Sequence, residues 1–410
     1  MEKKDIKIVL LIFFVALILR IGFILTLDNS IDVWGDWWDE LGWKLATGQG
    51  YWVNNPFNPE GQIFYAWRPP LFPLLLAGIY STFGHSYLSA KIFLAILSSI
   101  SCLLLFFVSR ITFSSSKYAI ISAFVYTFYP PAIFWTGYLA PVTCEIFLVL
   151  LVVLLLLIAE RKRELLLFAL SGLVVGLGVL TRSLFIIFIP VVFLWLICLH
   201  GIKFSFFTTA LFALFCFLTV SPWIIRNYYI YGRFVLSSTE GGIVCYIANN
   251  PNSIKENSGC WDPTGKDLNL MAEISRMNEL EVQKYFYKLA FEFIKENPLI
   301  YTKLVIDRFF RFWKITPHTF SGPGENYKNY HVIIAFLTNL PIFILALTGF
   351  LFSLKIWRNF VLYYLIVLMW SLPIILFFKT VIRYREPLMP FMIILAINGL
   401  KNLRKGKNVQ

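Results

Sequence analysis

Residues 28–73 read DNSIDVWGDWWDELGWKLATGQGYWVNNPFNPEGQIFYAWRPPLFP, and the rest of the chain is read around them. Four acids (Asp32, Asp36, Asp39, Glu40) stand among six tryptophans, and the stretch closes on Trp67-Arg68-Pro69-Pro70 and the start of an apolar run. It follows the apolar opening of the chain, as the first loop after a membrane span. A short connection between spans needs neither the carboxylates nor the rings, and acids held against apolar walls are costly without a task. The plainer reading is a solvated loop with an aromatic belt, since Trp and Tyr concentrate at headgroup level. What surrounds the loop decides between the two.

Outside the loop the chain is overwhelmingly apolar. Of 410 residues 58% are hydrophobic and 14% charged, a balance that leaves too little polar surface to cover a soluble domain of this size. Apolar runs of about twenty residues, the length that crosses a bilayer as a helix, recur from end to end. The expected class is an all-α polytopic membrane protein of roughly ten transmembrane helices. The opening run has a basic start but no small-x-small cleavage site, so it reads as an uncleaved first span over 7–27. Further spans are expected at 88–109, 117–134, 145–159, 165–181, 184–200, 204–221, 332–353, 360–378 and 387–401, with short interfacial helices at 36–49 and 70–84. Cys102, Cys198 and Cys216 lie within apolar runs as small hydrophobes.

Charge placement orients the spans. With the N-terminus inside, Arg110 and Lys117, Arg161-Lys162-Arg163, Lys203, Lys355 and Arg358, and the tail Lys401, Arg404, Lys405 and Lys407 all fall on the inside, as the positive-inside rule asks. Much of the net charge of +13 is therefore topogenic, and no nucleic-acid partner is implied. The organising loop, 129–145, the turn at Thr181-Arg182, a long segment at 222–331 and 379–387 then fall outside. Three units are expected: 1–221 with its outer loop 28–87, the outer segment 222–331, and 332–410. The first half of the outer segment (Gly241-Gly242, Asn249-Asn250-Pro251, Ser258-Gly259) reads as turn-rich loop. Residues 282–314 carry an apolar stripe at helical spacing, broken at Asn297-Pro298, of the kind that lies on a membrane or a partner helix. Cys245 and Cys260, both in this segment, form a conditional disulfide in a compartment that permits oxidation.

The outer face also collects Arg68, Arg182, Arg226, Arg383 and Arg385, where few basic residues are expected. The guanidinium fork is the usual ligand of phosphate, although each arginine alone could snorkel toward headgroups. Carboxylates and arginines beside an apolar groove suit a lipid-phosphate substrate attacked by a hydroxyl or amine. Acids are missing from the span centres and sit at span ends (Glu145, Glu160, Glu386), which argues for interfacial chemistry over ion coupling. Gly172-x-x-x-Gly176 reads as helix packing. The four histidines are scattered, and neither HExxH nor a Walker loop is present.

In this order and on this topology, several strings together resemble a known family. They are Gly35-Asp36 with Leu45-Ala-Thr-Gly-Gln-Gly-Tyr51, Arg68-Pro-Pro-Leu-Phe-Pro73 running to Phe83-Gly84, and Leu180-Thr-Arg182. Further on come Ser221-Pro-Trp-Ile-Ile-Arg-Asn227, Gly232-Arg-Phe234, Asn249-Asn-Pro251 and Arg383-Tyr-Arg-Glu-Pro-Leu-Met-Pro390. The chain resembles the polyprenyl-phosphate-sugar-dependent glycosyltransferases of the GT-C fold, in the protein-mannosyltransferase and aminoarabinose-transferase branch. The resemblance implies a first outer loop bearing the catalytic acid, and transfer with inversion from a polyisoprenoid-phosphate sugar. The acid maps to Asp36, with Asp39 and Glu40 as alternatives because the spacing to the following aromatic differs. The basic residue that meets the lipid phosphate maps to Arg68, and Glu145 matches an acid after the second outer loop. Arg226, Arg383 and Arg385 complete the expected binding set. No cofactor is expected, and a divalent metal stays compatible. The expected partners are the lipid-linked donor, an extracytoplasmic acceptor (glycolipid, polysaccharide or protein) and the bilayer of the cell membrane. The rival from another class is a flippase that moves the same lipid without chemistry, which would need a polar path through the acid-free spans.

Overall fold

The computed structural model describes residues 3–30, 36–58, 61–254, 263, 266–317 and 329–407. Asp32, Gly35, Ser258, Cys260 and hence the expected Cys245–Cys260 pairing lie outside that set. Among the described residues the chain forms 17 α-helices and no strand beyond one antiparallel bridge, Val53 with Phe64. They are α1 Lys3–Leu25, α2 Trp38–Ala46, α3 Leu71–Phe83, α4 Tyr87–Phe113, α5 Ser116–Thr127, α6 Pro130–Phe134, α7 Val142–Lys162, α8 Leu165–Val179 and α9 Phe188–His200. Then come α10 Ile202–Tyr231, α11 Gly241–Ala248, α12 Leu268–Ile274, α13 Glu279–Glu296, α14 Pro298–Phe312, α15 Asn329–Ser353, α16 Val361–Phe377 and α17 Met389–Lys407.

Every expected span has its helix, and so do both interfacial helices. Among the described residues six helices are long and apolar enough to cross a membrane, or seven with α5 and α6 taken as one span bent by 57°. The bend falls where Pro130-Pro131 deny backbone donors, so the expected span 117–134 is two pieces. The expected boundary at 221/222 lies inside α10, which runs through Pro222 to Tyr231 and stops at Gly232, a left-handed residue with φ 64°.

Among the spans, helices cross closely at glycines. A Cβ on Gly172 would stand 2.2 Å from the Phe212 carbonyl oxygen, and one on Gly349 would stand 1.8 Å from that of Leu395. Backbone therefore lies on backbone where α8 crosses α10 and where α15 crosses α17, the packing expected of Gly172-x-x-x-Gly176.

The outer segment differs from its sequence reading. Its first half contains α11 and α12, the latter started by Asp267, whose side chain accepts the Leu270 amide at 3.0 Å. Gly242 lets α11 lie against α13, since a Cβ there would be 2.2 Å from the Gln283 carbonyl oxygen. The capping box Asn278/Glu281 starts α13, whose stripe Val282, Phe286, Ala290 and Phe293 is buried. Val282 and Phe286 of that stripe meet α11 and the first outer loop in one cluster, with Leu41, Tyr51, Val53, Phe64, Trp67, Ile243 and Ile247. Each fully buried Val or Phe contributes about 1.5–3 kcal/mol toward holding the segment on the loop, before the entropy of ordering it is set against that.

Side-chain contacts sort the helix ends. Arg110 pairs with Asp5 at 2.7 Å, Arg161 donates to the Ile111 carbonyl, His200 meets Glu160 at 3.1 Å, and Lys401 lies 5.6 Å above the Phe113 ring. The first residues of α1, the ends of α4, α7 and α9 and the last turns of α17 thus share one end. The outer loop and the outer segment occupy the other.

Candidate active site

Asp36 stands at the mouth of α2, followed by Trp37 in the left-handed region (φ 62°, ψ 1°). A bulky residue there is strained, and the surroundings hold it: the Trp37 ring meets Trp67 edge-on at 6.3 Å, while Trp38 packs on Phe72 at 5.7 Å. The Asp36 carboxylate faces two cations. Oδ1 is 3.2 Å from Nη2 of Arg68, and Oδ2 is 3.6 Å from Nη1 of Arg383.

Arg68 precedes the prolines that open α3, and its backbone is fixed from several sides. The Tyr51 hydroxyl donates to the carbonyls of Arg68 (2.8 Å) and Pro69 (3.1 Å), and the Leu71 amide donates to Leu180 O at 2.9 Å. The guanidinium lies 5.5 and 5.2 Å from the rings of Trp37 and Trp38 and also pairs with Glu240, at the mouth of α11.

A second group adjoins this one. Arg383 and Arg182 approach the Tyr384 ring at 5.2 and 4.5 Å. Burial pushes the Tyr384 phenol up, but Arg383 and Arg182 outweigh it and hold the group below its ordinary value. Arg182 in turn holds Oε1 of the fully buried Glu145 through Nε (2.8 Å) and Nη2 (2.7 Å). The result is an alternating run: Glu145, Arg182, Tyr384, Arg383, Asp36, Arg68, Glu240. It draws on the first loop, α7, the turn after α8, the α16–α17 connection and the outer segment.

The structure thus brings Asp36, Arg68, Arg383 and, through Arg182, Glu145 together. It places the other expected residues elsewhere. Asp39 turns to the far side of α2, where it accepts from Tyr80 (2.5 Å) and Tyr87 (3.3 Å) and meets His85 at 2.9 Å; Trp43 stacks on that imidazole. Glu40 is half-exposed and pairs with Lys44 at 2.5 Å. Arg226 donates to the carbonyls of Tyr65 (2.7 Å) and Tyr51 (3.0 Å), which makes it a strut for the loop. Arg385 is fully buried and donates to Phe312 O (3.1 Å) and Lys314 O (2.7 Å), at the end of α14.

Sequence reasoning missed Glu240 and Tyr384. The one signal for Glu240 is its place before a glycine pair that opens a helix. It also missed Glu279, the first residue of α13, whose buried carboxylate accepts the amides of Tyr65 (2.6 Å) and Ala66 (3.1 Å) and the hydroxyls of Thr239 and Tyr231. Burial pushes the Glu279 carboxyl above the ordinary carboxylate range despite these four bonds. Among the described residues no three His, Cys, Asp or Glu side chains converge as metal ligands.

Residues 67–225, less than half of the chain, match the family model described as dolichyl-phosphate-mannose-protein mannosyltransferase. The match begins one residue before Arg68 and ends one before Arg226. No curated protein matches the chain. Among solved structures, the fold is similar to the oligosaccharyltransferase of Archaeoglobus fulgidus in the apo form. The TM-score is 0.59 at 13% identity, over 98% of this chain and 51% of that one. The same organism's AglB, solved with an inhibitory peptide and a dolichol-phosphate, gives 0.57 at 13% identity over 100% and 52%. ArnT from Cupriavidus metallidurans, bound to undecaprenyl phosphate, gives 0.42 at 13% identity over 99% and 78%. The chain spans about half the length of the oligosaccharyltransferase structures, and at this identity the likeness is one of fold. The chain is a polytopic helical membrane protein of the GT-C fold, and the family match agrees with the resemblance read from its sequence.

Proposed function

We propose that the chain is a membrane glycosyltransferase that takes a sugar from a polyprenyl-phosphate donor and transfers it, with inversion, to an extracytoplasmic hydroxyl or amine. The observation that carries this reading is Asp36 seated between Arg68 of its own loop and Arg383 of the α16–α17 connection. The two guanidiniums are ligands for the donor's phosphate. As it binds, the phosphate competes for their forks and releases the Asp36 carboxylate to accept a proton.

In the reaction the acceptor's oxygen or nitrogen attacks the anomeric carbon on the face opposite the phosphate. The carbon–oxygen bond to phosphate breaks, its electron pair stays on the phosphate, and the acceptor's proton passes to Asp36. Fixed cations stabilise the charge that grows on the leaving group. Proton transfer to a placed base contributes about 10²–10⁴-fold. Asp36 fits the role better than Asp39 or Glu40, because Asp39 is spent on Tyr80 and His85 and Glu40 on Lys44. Glu145 sets Arg182 behind Tyr384, whereas Arg226 and Arg385 hold the loop and α14 in place.

The match to a mannosyltransferase model favours a hexosyl donor. The end that carries the N-terminus and most of the net positive charge is cytoplasmic, and the site faces outward across the cell membrane. The test uses purified protein, labelled polyprenyl-phosphate sugar and an acceptor mixture. Release of free polyprenyl phosphate supports an enzyme, and movement of intact donor across a vesicle without release would replace it with a flippase.

A further inference from the structure

Glu279 is 4% exposed, and among the described residues it has no ion-pair partner. A lone buried carboxylate is costly, so its four donors must need it. An ionised carboxylate offers about four acceptor positions on two oxygens, whereas the amide of glutamine offers one oxygen and turns its NH2 toward donors. Glutamine therefore cannot take over the arrangement.

The donors stand in telling places. The amides of Tyr65 and Ala66 lie three and two residues before Arg68, and Thr239 immediately precedes Glu240. The Thr239 amide itself donates to Ala66 O at 2.9 Å, and Arg226 takes Tyr65 O from the other side. Tyr231, the last residue of α10, supplies the fourth bond. One side chain of the outer segment thus joins the stretch leading to Arg68, the stretch leading to Glu240 and the outer end of α10.

We propose that Glu279 is a positioning residue: by clamping 65–66 to Thr239 it sets the spacing of Arg68 and Glu240, and so makes the outer segment part of the donor's phosphate pocket. This rests on the reading of Arg68 as the phosphate ligand. It accounts for the loss of a buried carboxylate's solvation at a point where loop and segment meet by polar bonds, beside the Arg68–Glu240 pair.

The experiment measures binding of a short-chain polyprenyl monophosphate to the purified full chain in four forms: wild type, Glu279→Gln, Arg68→Ala and the double variant. Glu279→Gln is expected to weaken binding roughly ten- to a hundredfold, because displacement of a binding group by about 1 Å suffices for that. On the Arg68→Ala background the same change is expected to do almost nothing, since the group it positions is gone. Equal binding by wild type and Glu279→Gln would overturn the inference. So would the same loss on both backgrounds, the mark of general destabilisation. If Glu279→Gln does not fold, Tyr231→Phe removes one donor and leaves the carboxylate. It should weaken binding only while Arg68 is present, and unchanged binding overturns the inference. Failure of the wild type to bind the probe is a separate result, which overturns the proposed donor and the inference with it.

Discussion

Arg68 is gripped from both sides, by Asp36 from its own loop and by Glu240 from 172 residues away. A planar fork can satisfy two carboxylates at once, and a phosphate can replace either of them. Arg68→Lys keeps the charge and loses the fork, so it should retain partial donor binding. Arg68→Ala should lose about 1.5–3 kcal/mol, or roughly ten- to a hundredfold in affinity, the range for hydrogen bonds to charged groups. Equal donor affinity in the two variants and the wild type would reduce Arg68 to a structural residue. Glu279 makes a pH prediction. Its carboxyl lies above the ordinary 4.5 in the native chain, so its contribution to stability is present below that value and is lost as pH rises through the raised one. The melting temperature of the wild type relative to Glu279→Gln should therefore fall as pH climbs from the acid side toward neutral. A difference that ignores pH would contradict the burial argument.

At the scale of elements, α2 is the part whose placement matters, because one helix presents Asp36 at its mouth and Asp39 on its other side. Asp39 with Tyr80, His85 and Tyr87 braces α2 against α3 and the start of α4. Asp39→Asn should lower stability by about 1 kcal/mol, the cost of weakened part-buried hydrogen bonds, and reduce turnover far less than Asp36→Asn. Dead Asp39→Asn beside active Asp36→Asn would move the base by one helical turn. The close crossings give a second prediction. Gly349→Leu forces a side chain onto the Leu395 carbonyl and should destabilise by about 1–3 kcal/mol or more, read as a lower melting temperature, while Gly22→Leu, where nothing lies within 4 Å, should be tolerated.

At the scale of the molecule, the two ends differ in charge and in chemistry, and the sequence shows why one was easier to read than the other. Spans are legible because twenty apolar residues in a row have few alternatives, and α13 and α14 because an apolar stripe at helical period runs through 282–314 with a break at Asn297-Pro298. Asp36, Arg68 and Arg383 were legible because acids and cations at an outer interface demand a reason. Glu240 and Glu279 were not, because their partners lie 172 and more than 200 residues away and no local period marks them. α11 was missed because a glycine pair looks like a turn until a neighbouring helix is known to press on it. The ends can be told apart in intact cells freed of native cysteines: an impermeant thiol reagent should label Glu40→Cys, at a half-exposed position, and spare Lys162→Cys, at an exposed one on the opposite end. Labelling at 162 would reverse the orientation and put the site inside.

The central claim, that Asp36 between two arginines transfers a sugar from a lipid phosphate, is tested most directly by one turnover assay. Purified wild type and Asp36→Asn are given labelled polyprenyl-phosphate sugar and acceptor, with free polyprenyl phosphate as the readout and donor binding measured alongside. The wild type should release it, and Asp36→Asn should bind donor within a few-fold of wild type while turning over about 10²–10⁴-fold more slowly. Normal turnover by Asp36→Asn would contradict the account.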